Sequence, residues 1–429
     1  MRSRKLLALI FSLLAIAPAL AGYMTLLGAG VGSIQLAASW VSTTDPTFPS
    51  SSLTYSGPSL STMFDSTGKL TYKPNNLLTY SNTFNNAAWT KSNVTVSSGV
   101  ADPFGGTNAF TLTATSAGGY LQQIITTTPS TNVLTSFWIR RRTGSGNVRL
   151  NATVSNPIQA VTGTWTQFYT TQPSNGSGLA WNGILFDTGG DAVDVYVATT
   201  SAVTYETTPR TADQVITTSA AYYGPRIDYD PNTLAVKGLL IEEARTNLLL
   251  NSKADGTNLA TQNVTVTAQA YTLSFYGTGT VTLSGASTAG PAVGAGAFPA
   301  RQTLTFTPSA GTLTLTVSGT VQYAQLEAGS FSTSYIPTAA ASVTRAADVV
   351  QFTGAALTAL QGSAGSVIIQ SISEASSSPA AITNVIKGTN SILYRDTTGK
   401  VGTTNGTTAL LTAAAPKEPS FHWSYRTQQ

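Results

Sequence analysis

The acids are the first residues of this 429-residue sequence to test for chemistry. Glu242 and Glu243 are neighbours on an expected strand, so they point to opposite faces. A retaining glycosidase needs two carboxyls about 5 Å apart on one surface, so the expectation is a solvated strand and not a catalytic pair. Asp228 and Asp230 share a face but flank a turn, and read as turn formers. Asp187-Thr188-Gly189-Gly190-Asp191 with Asp194 offers oxygen ligands to a hard cation, which makes calcium the one cofactor the sequence admits. That spacing fits no standard calcium loop, and a Gly-Gly turn with solvated acids is the competing reading. A serine nucleophile would need a base, and the single histidine, His422, lies near the C-terminal end. No GxSxG, HExxH or P-loop string occurs. The acids and hydroxyls therefore point to a protein that is not an enzyme.

Aromatic side chains carry the remaining chemistry. Sugar rings present apolar CH faces that stack on Trp and Tyr beside amide or carboxylate partners. Trp138, Trp165, Trp181 and Tyr120 are the candidate ligand platforms, whereas Trp89 in the AAWTK string is expected in a core. Arg140-Arg141-Arg142 either meets acidic glycans or keeps a strand end soluble. The other basic residues are scattered, and nucleic acid, which needs a clustered basic face, is not an expected partner.

The elements that would position these residues are strands. Charged residues make up only 9% of the chain, against a usual quarter or so, and there is no cysteine. A neutral, hydroxyl-rich chain with 41% hydrophobic residues suits packed sheets with outward Thr and Ser, and excludes disulfides and thiolate metal sites. Two-residue alternation through segments such as 133–140, 148–154, 192–197, 271–276 and 312–317 predicts short half-buried strands. No long 3.6-residue period competes with them. The fold class is therefore all-β, as tandem jelly-roll-like sandwiches.

Repeated strings divide the chain. Asn76-Leu77-Leu78 recurs as Asn247-Leu248-Leu249, and Asn93-Val94-Thr95-Val96 as Asn263-Val264-Thr265-Val266. Arg210-Thr211-Ala212-Asp213 recurs as Arg345-Ala346-Ala347-Asp348 at a shorter separation, which predicts a smaller second module that lacks strands or loops between its NVTV string and its C-terminal strand. The boundaries that follow are a Ser/Thr-rich extended arm at 23–72, module 1 at 73–226, a connecting hairpin at 227–245 and module 2 at 246–345. The hairpin is expected because Asp230-Pro231-Asn232-Thr233 has turn chemistry between two strand-forming runs.

Three stretches give the sequence a family likeness. GPRIDYDP…KGLLIEEARTNLL, NNLLTYSNTFNNAAWTKSNVTV and VQYAQLEAGSFSTSYIPT…TRAADVV resemble the recurrent modules of tailed-phage and prophage tail-fibre, spike and head-fibre proteins. The resemblance implies carbohydrate-binding jelly rolls, a host-surface glycan or polysaccharide and other virion proteins as partners, and a homo-oligomer, with trimers common. It also implies a partial laminin-G or concanavalin-like lectin domain at 346–429, shortened by truncation or frameshift. Residues 1–22 read either as a secretory signal cleaved after Ala21 or as an over-extended gene start. A virion protein, a secreted bacterial carbohydrate-binding protein and a polysaccharide depolymerase are thus the three functional expectations, in that order.

Overall fold

The computed structural model describes residues 53–253 and 258–352, and outside them only the backbone of strands between residues 24 and 39 and between 364 and 426. Segment 1–22 and the side chains of the C-terminal unit, His422 among them, lie outside the described residues. The protein is all-β: the one helical piece among the described residues is a three-residue 3-10 turn at Thr211–Asp213.

Before module 1 come β1 (Leu53–Ser56), β2 (Thr62–Phe64) and β3 (Leu70–Tyr72). Module 1 itself contains β4 (Asn75–Asn76), β5 (Thr90–Ser92), β6 (Val94–Val100), β7 (Ala109–Ala114), β8 (Tyr120–Thr126), β9 (Asn132–Thr143), β10 (Val148–Ala152), β11 (Ile158–Gln159), β12 (Thr166–Pro173), β13 (Leu179–Phe186), β14 (Ala192–Val203) and β15 (Tyr222–Tyr223). Two five-stranded antiparallel sheets, β11-β10-β13-β8-β5 and β12-β9-β14-β7-β6, face each other. Their alternating inward residues, among them Leu121, Leu150 and Ile184 from one sheet and Leu112, Phe137 and Val195 from the other, form one core. Trp89 closes it from the loop before β5, edge-on to Phe84 at 5.2 Å, with its indole N–H donating to the Tyr80 carbonyl at 2.9 Å. The buried ring thus keeps its polar handle satisfied.

The expected hairpin is present as β16 (Ile227–Tyr229) and β17 (Val236–Leu239). Asp230 Oδ1 accepts the amides of Asn232 and Thr233, which is why this acid sits at the turn. Asp228 does more than form a turn, since its Oδ1 accepts the Phe64 amide of the β2–β3 hairpin at 2.8 Å.

Module 2 consists of β18 (Arg245–Asn247), β19 (Gln262–Val266), β20 (Tyr271–Gly277), β21 (Thr280–Gly285), β22 (Ala292–Val293), β23 (Gly296–Phe306), β24 (Gly311–Ser318), β25 (Gln322–Ala328) and β26 (Val343–Arg345), followed by β27 (Val349–Phe352). Its sheets are β19-β24-β21-β22 and β23-β20-β25, around a core that includes Leu273, Phe275, Leu283, Leu313 and Leu326.

Side-chain bonds to the backbone fix which strands of the two modules correspond. Asn76 Nδ2 donates to Ala198 O and its Oδ1 accepts Thr200 N; Asn247 does the same with Ala324 O and Leu326 N. Ser81 and Thr217 exchange hydrogen bonds as Ser252 and Thr338 do. Gln123 clamps both backbone groups of Thr79, and Gln262 those of Leu250. Gln123 lies on β8 and Gln262 on β19, so β8–β14 of module 1 correspond in order to β19–β25 of module 2, and β5–β7 have no counterpart.

This corrects two expected landmarks. The first NVTV string enters β6, at the edge of one sheet, whereas the second lies in β19, the counterpart of β8. The strands missing from module 2 therefore precede this position instead of following it. Nor do the two RxAD strings correspond, for Arg210–Asp213 precedes the Thr217 landmark while Arg345–Asp348 follows Thr338.

Residues 53–72 are not an extended arm. β1 pairs with β27, β2 pairs with β3, and Thr62 Oγ1 donates to the Tyr335 carbonyl at 2.6 Å. Glu242 corrects the solvated-strand expectation as well: its carboxylate receives Arg226 at 2.6 Å and Arg345 at 2.8 Å, and its Oε1 accepts the Ser334 amide. Arg226, fully buried, also pairs with Asp348, which accepts the Tyr55 hydroxyl at 2.6 Å. Burial pushes the Glu242 carboxyl up, but the two arginines outweigh it and hold it below the usual carboxylate range. Arg226 of GPRIDYDP, Glu242 of IEEARTNLL, and Arg345 and Asp348 of TRAADVV thus meet in one buried network, which joins both modules to the Tyr55 hydroxyl of β1 and the Thr62 carbonyl of β2.

Candidate functional site

The four candidate aromatics fall two and two on opposite outer faces of module 1. Directly paired residues of antiparallel strands share a face, and Trp138 on β9 pairs with Tyr196 on β14 and Gln167 on β12. This face is already engaged. Phe104 packs edge-on against Trp138 at 5.5 Å and contacts Tyr196 at 5.8 Å. Trp165, just before β12, carries the Arg140 guanidinium 4.9 Å from its ring centroid.

The same face explains the arginine run and the acids. Arg140 and Arg142, two residues apart on β9, both reach Asp194 across the sheet, at 2.8 and 2.7 Å. Asp194 also accepts the Thr111 hydroxyl. Burial pushes its carboxyl up, but Arg142, Thr111 and Arg140 together hold it below the usual range. Arg141, facing the other way, pairs with Asp191 and donates to the Gly146 carbonyl. Asp187 sits in a bidentate bond with Arg149, at 2.7 Å to each oxygen, and the guanidinium holds it below its ordinary value. The calcium reading of Asp187, Asp191 and Asp194 is therefore corrected: each carboxylate is claimed by its own arginine partners, and among the described residues no group of three acids or histidines converges as a metal site would. Arg140-Arg141-Arg142 is likewise paired within the module, Arg140 and Arg142 on Asp194 and Arg141 on Asp191.

Tyr120 and Trp181 share the opposite face, on β11-β10-β13-β8-β5. Trp181 pairs with Ile124, Tyr120 with Leu185, and Gln122 with Gly183, which in turn pairs with Asn151. Asn151 Nδ2 donates to Gln122 Oε1 at 2.8 Å, spanning the strand that carries Gly183. Only glycine fits between them, because a Cβ there would overlap the Leu121 carbonyl oxygen. The result is a shallow floor with an amide pair at its centre and one aromatic toward each end. Four residues along β8 separate Tyr120 from the Ile124–Trp181 pair, about 13 Å at the usual rise. Ile124 is 46% exposed, and among the described residues no ring or cation is stacked on Tyr120 or Trp181. One aromatic at each end of an amide-lined floor has the geometry to stack two separated rings of one extended saccharide while the amides bond its hydroxyls. Sequence alone identified the two aromatics; Gln122, Asn151 and Gly183 escaped it because only the strand register brings them together.

No protein-family model matches the chain, and no curated protein matches it in sequence. Among solved structures it is similar to a CBM22 xylan-binding domain from Paenibacillus barcinonensis, at 14% identity and a TM-score of 0.26, covering 31% of this chain and 99% of that one. The tandem CBM22 domains of the same protein match at 9% identity and a TM-score of 0.25, over 66% of this chain and 99% of theirs. The enzymatically active domain of a bacteriophage CBA120 tailspike matches at 17% identity and a TM-score of 0.24, over 30% of this chain and 21% of that one. At such scores these likenesses carry no argument about function, which rests on the side chains above.

Proposed function

We propose that the protein is a non-catalytic glycan-binding component of a phage or prophage virion, which attaches to a polysaccharide or other glycan on the host surface. The observation that carries the binding reading is the face with Tyr120 and Trp181 at its ends and the Gln122–Asn151 amide pair between them. Its spacing suits an extended chain, because one sugar ring cannot span about 13 Å. The virion reading is supported by the likeness of the GPRIDYDP, NNLLTYS and TRAADVV strings to phage fibre modules. Multiple copies in a homo-oligomer would turn weak single-site binding into firm attachment. The reading without turnover is supported by the acids: Glu242, Asp187, Asp191 and Asp194 are each held by arginine, and Glu327 is buried against Gln325 and Thr333.

The test is retention of the full chain in native gels containing soluble polysaccharides, run beside a reducing-sugar assay. Wild type should be retarded by at least one neutral polymer and release no sugar. Trp181→Ala and Gly183→Val should abolish retardation, whereas Trp138→Ala should retain it. Steady sugar release, or retardation indifferent to Trp181, would overturn the proposal.

A further inference from the structure

The strand correspondence exposes a place where the two modules differ in what they cover. In module 1 the segment after β14 folds back over β4, where Asp213 Oδ1 accepts the Asn75 amide at 2.9 Å and Arg210 grips the same carboxylate. In module 2 the segment after β25 takes another course. Thr333 binds Glu327 through its amide and hydroxyl, and Arg301 donates to the Thr333 carbonyl, so the chain is strapped across β23-β20-β25. The counterpart of Asn75 is Thr246, which pairs with Thr344 of β26. A cleft of about 490 Å³ opens over Thr246, its lining including Glu243, Arg245, Gln269, Thr344, Leu248, Ala328 and Tyr271.

We infer that this cleft is a second binding site, which takes a single neutral sugar ring. Its size falls within the range of small-ligand sites, roughly 300–1,000 Å³. Glu243 is 56% exposed and can accept two vicinal hydroxyls, and its charge is already balanced by Arg245. Arg245 is fixed in turn by the Phe331 ring, 5.0 Å from its guanidinium carbon. The hydroxyls of Thr246 and Thr344 lie 2.8 Å apart across β18 and β26, and Gln269 Nε2 donates to the Tyr271 hydroxyl. The site therefore combines a preset carboxylate, two hydroxyls and an amide with a small apolar wall, and its acid and base cancel. That balance favours a neutral ring over a uronate or an amino sugar. Tyr271 also lines the cleft but is buried, its hydroxyl held by Gln269, so the cleft complements the module 1 face without duplicating it.

This site rests on the reading of the protein as a glycan binder, and saturation-transfer NMR on the full chain separates the two. The probes are millimolar methyl glycosides of neutral hexoses and pentoses, with methyl glucuronide and methyl glucosaminide as charged comparisons. Wild type should transfer saturation to at least one neutral glycoside and less to the charged ones. Glu243→Gln combined with Gln269→Ala, both exposed positions, should weaken that binding about tenfold or more through lost charge-assisted bonds. In a Trp181→Ala background, which silences the module 1 face, Thr344→Tyr should fill the cleft and abolish transfer, while Trp138→Ala leaves it unchanged. No transfer from any neutral glycoside, or transfer that survives Thr344→Tyr in a folded protein, overturns the inference. Glycoside transfer that depends on Thr344, alongside polysaccharide retention indifferent to Trp181, would uphold the cleft and sink the module 1 face.

Discussion

Replacing Arg226 by methionine tests what joins the modules. The guanidinium Nη1 donates to Glu242 at 2.6 Å, to the Ser334 hydroxyl at 2.7 Å and to the Thr62 carbonyl at 3.3 Å, and Nη2 reaches Asp348. Methionine keeps much of the stem's apolar volume but removes every one of those donors. Glu242 would keep Arg345, and Asp348 would keep the Tyr55 hydroxyl and the Glu242 amide, so neither acid is stranded, yet both lose a buried cation. Breaking one partner of a buried pair costs about 3–5 kcal/mol. A replacement charge is nearby, because fully buried Lys73 donates to the Gly57 carbonyl and the Tyr55 hydroxyl. Burial lowers its pKa to about 7, Asp348 opposes that shift, and Arg226 and Arg345 add to it. Without Arg226, Lys73 should bind its proton more readily and partly replace the lost cation. The variant should therefore lose about 3–5 kcal/mol at pH 8.5, where wild-type Lys73 is mostly neutral, and at least about 1 kcal/mol less at pH 6. Guanidinium unfolding followed by tryptophan fluorescence and by circular dichroism reads both numbers. A loss under about 1 kcal/mol at pH 8.5, or the same loss at both pH values, would refute the account of the joint.

Lys73→Met isolates the titration itself. The folded pKa of about 7 lies below the ordinary lysine value, so between the two only the unfolded chain binds the proton, and stability should climb as pH rises from about 7. A melting-temperature scan from pH 6.5 to 9.5 should show that climb in wild type and lose it in the variant. Asn76→Ala and Asn247→Ala each remove a buried side chain that bonds four backbone carbonyls and amides of its own module, at about 2–4 kcal/mol apiece. Because four of the six tryptophans lie in module 1, Asn76→Ala should lower the main fluorescence transition, while Asn247→Ala should lower a circular-dichroism transition that the main fluorescence change does not follow. Added calcium or a chelator should shift the melting temperature by less than about 1 °C, since arginines hold Asp187, Asp191 and Asp194; a larger stabilisation by calcium would revive the metal reading.

What the sequence disclosed and what it hid divide along the range of the forces involved. Strands, the Asp230 turn and the core place of Trp89 depend on alternation and local bonding, and these are written in neighbouring residues. The NVTV strings misled because a Val/Thr alternation specifies that a strand forms, not which strand it becomes. Asn-Leu-Leu-x-x-Ser at 76–81 and 247–252 was the informative repeat, for its Asn and Ser bond to backbone more than a hundred residues away in module 1 and more than seventy away in module 2. Glu242 escaped for the same reason. Its arginines come from positions 226 and 345, and charges spaced so far apart in sequence read as solvated until the fold collects them. The aromatic candidates were legible as types, but their pairing on two faces was not, because register is a non-local property.

The same correspondence shows that the two sandwiches cannot share one binding mode. Through Gln123 and Gln262, Gln122 and Ile124 match Thr261 and Asn263; through the strand pairing, Trp181 and Gly183 match Thr314 and Thr316. Ile124 and Trp181 of the module 1 face thus have short polar residues in module 2, Tyr120 falls by the same offset on buried Leu259, and the glycine floor is filled by a threonine. Thr314 and Thr316 alternate with buried Leu313 and Leu315, so their threonines suit an outward strand face and leave no ring for a sugar to stack on. On the proposed reading, a glycan lying across the described sandwich faces would be held at one of them, and the cleft over Thr246 offers a second contact among the described residues. On that reading, firm attachment through the module 1 face alone would come from several copies acting together.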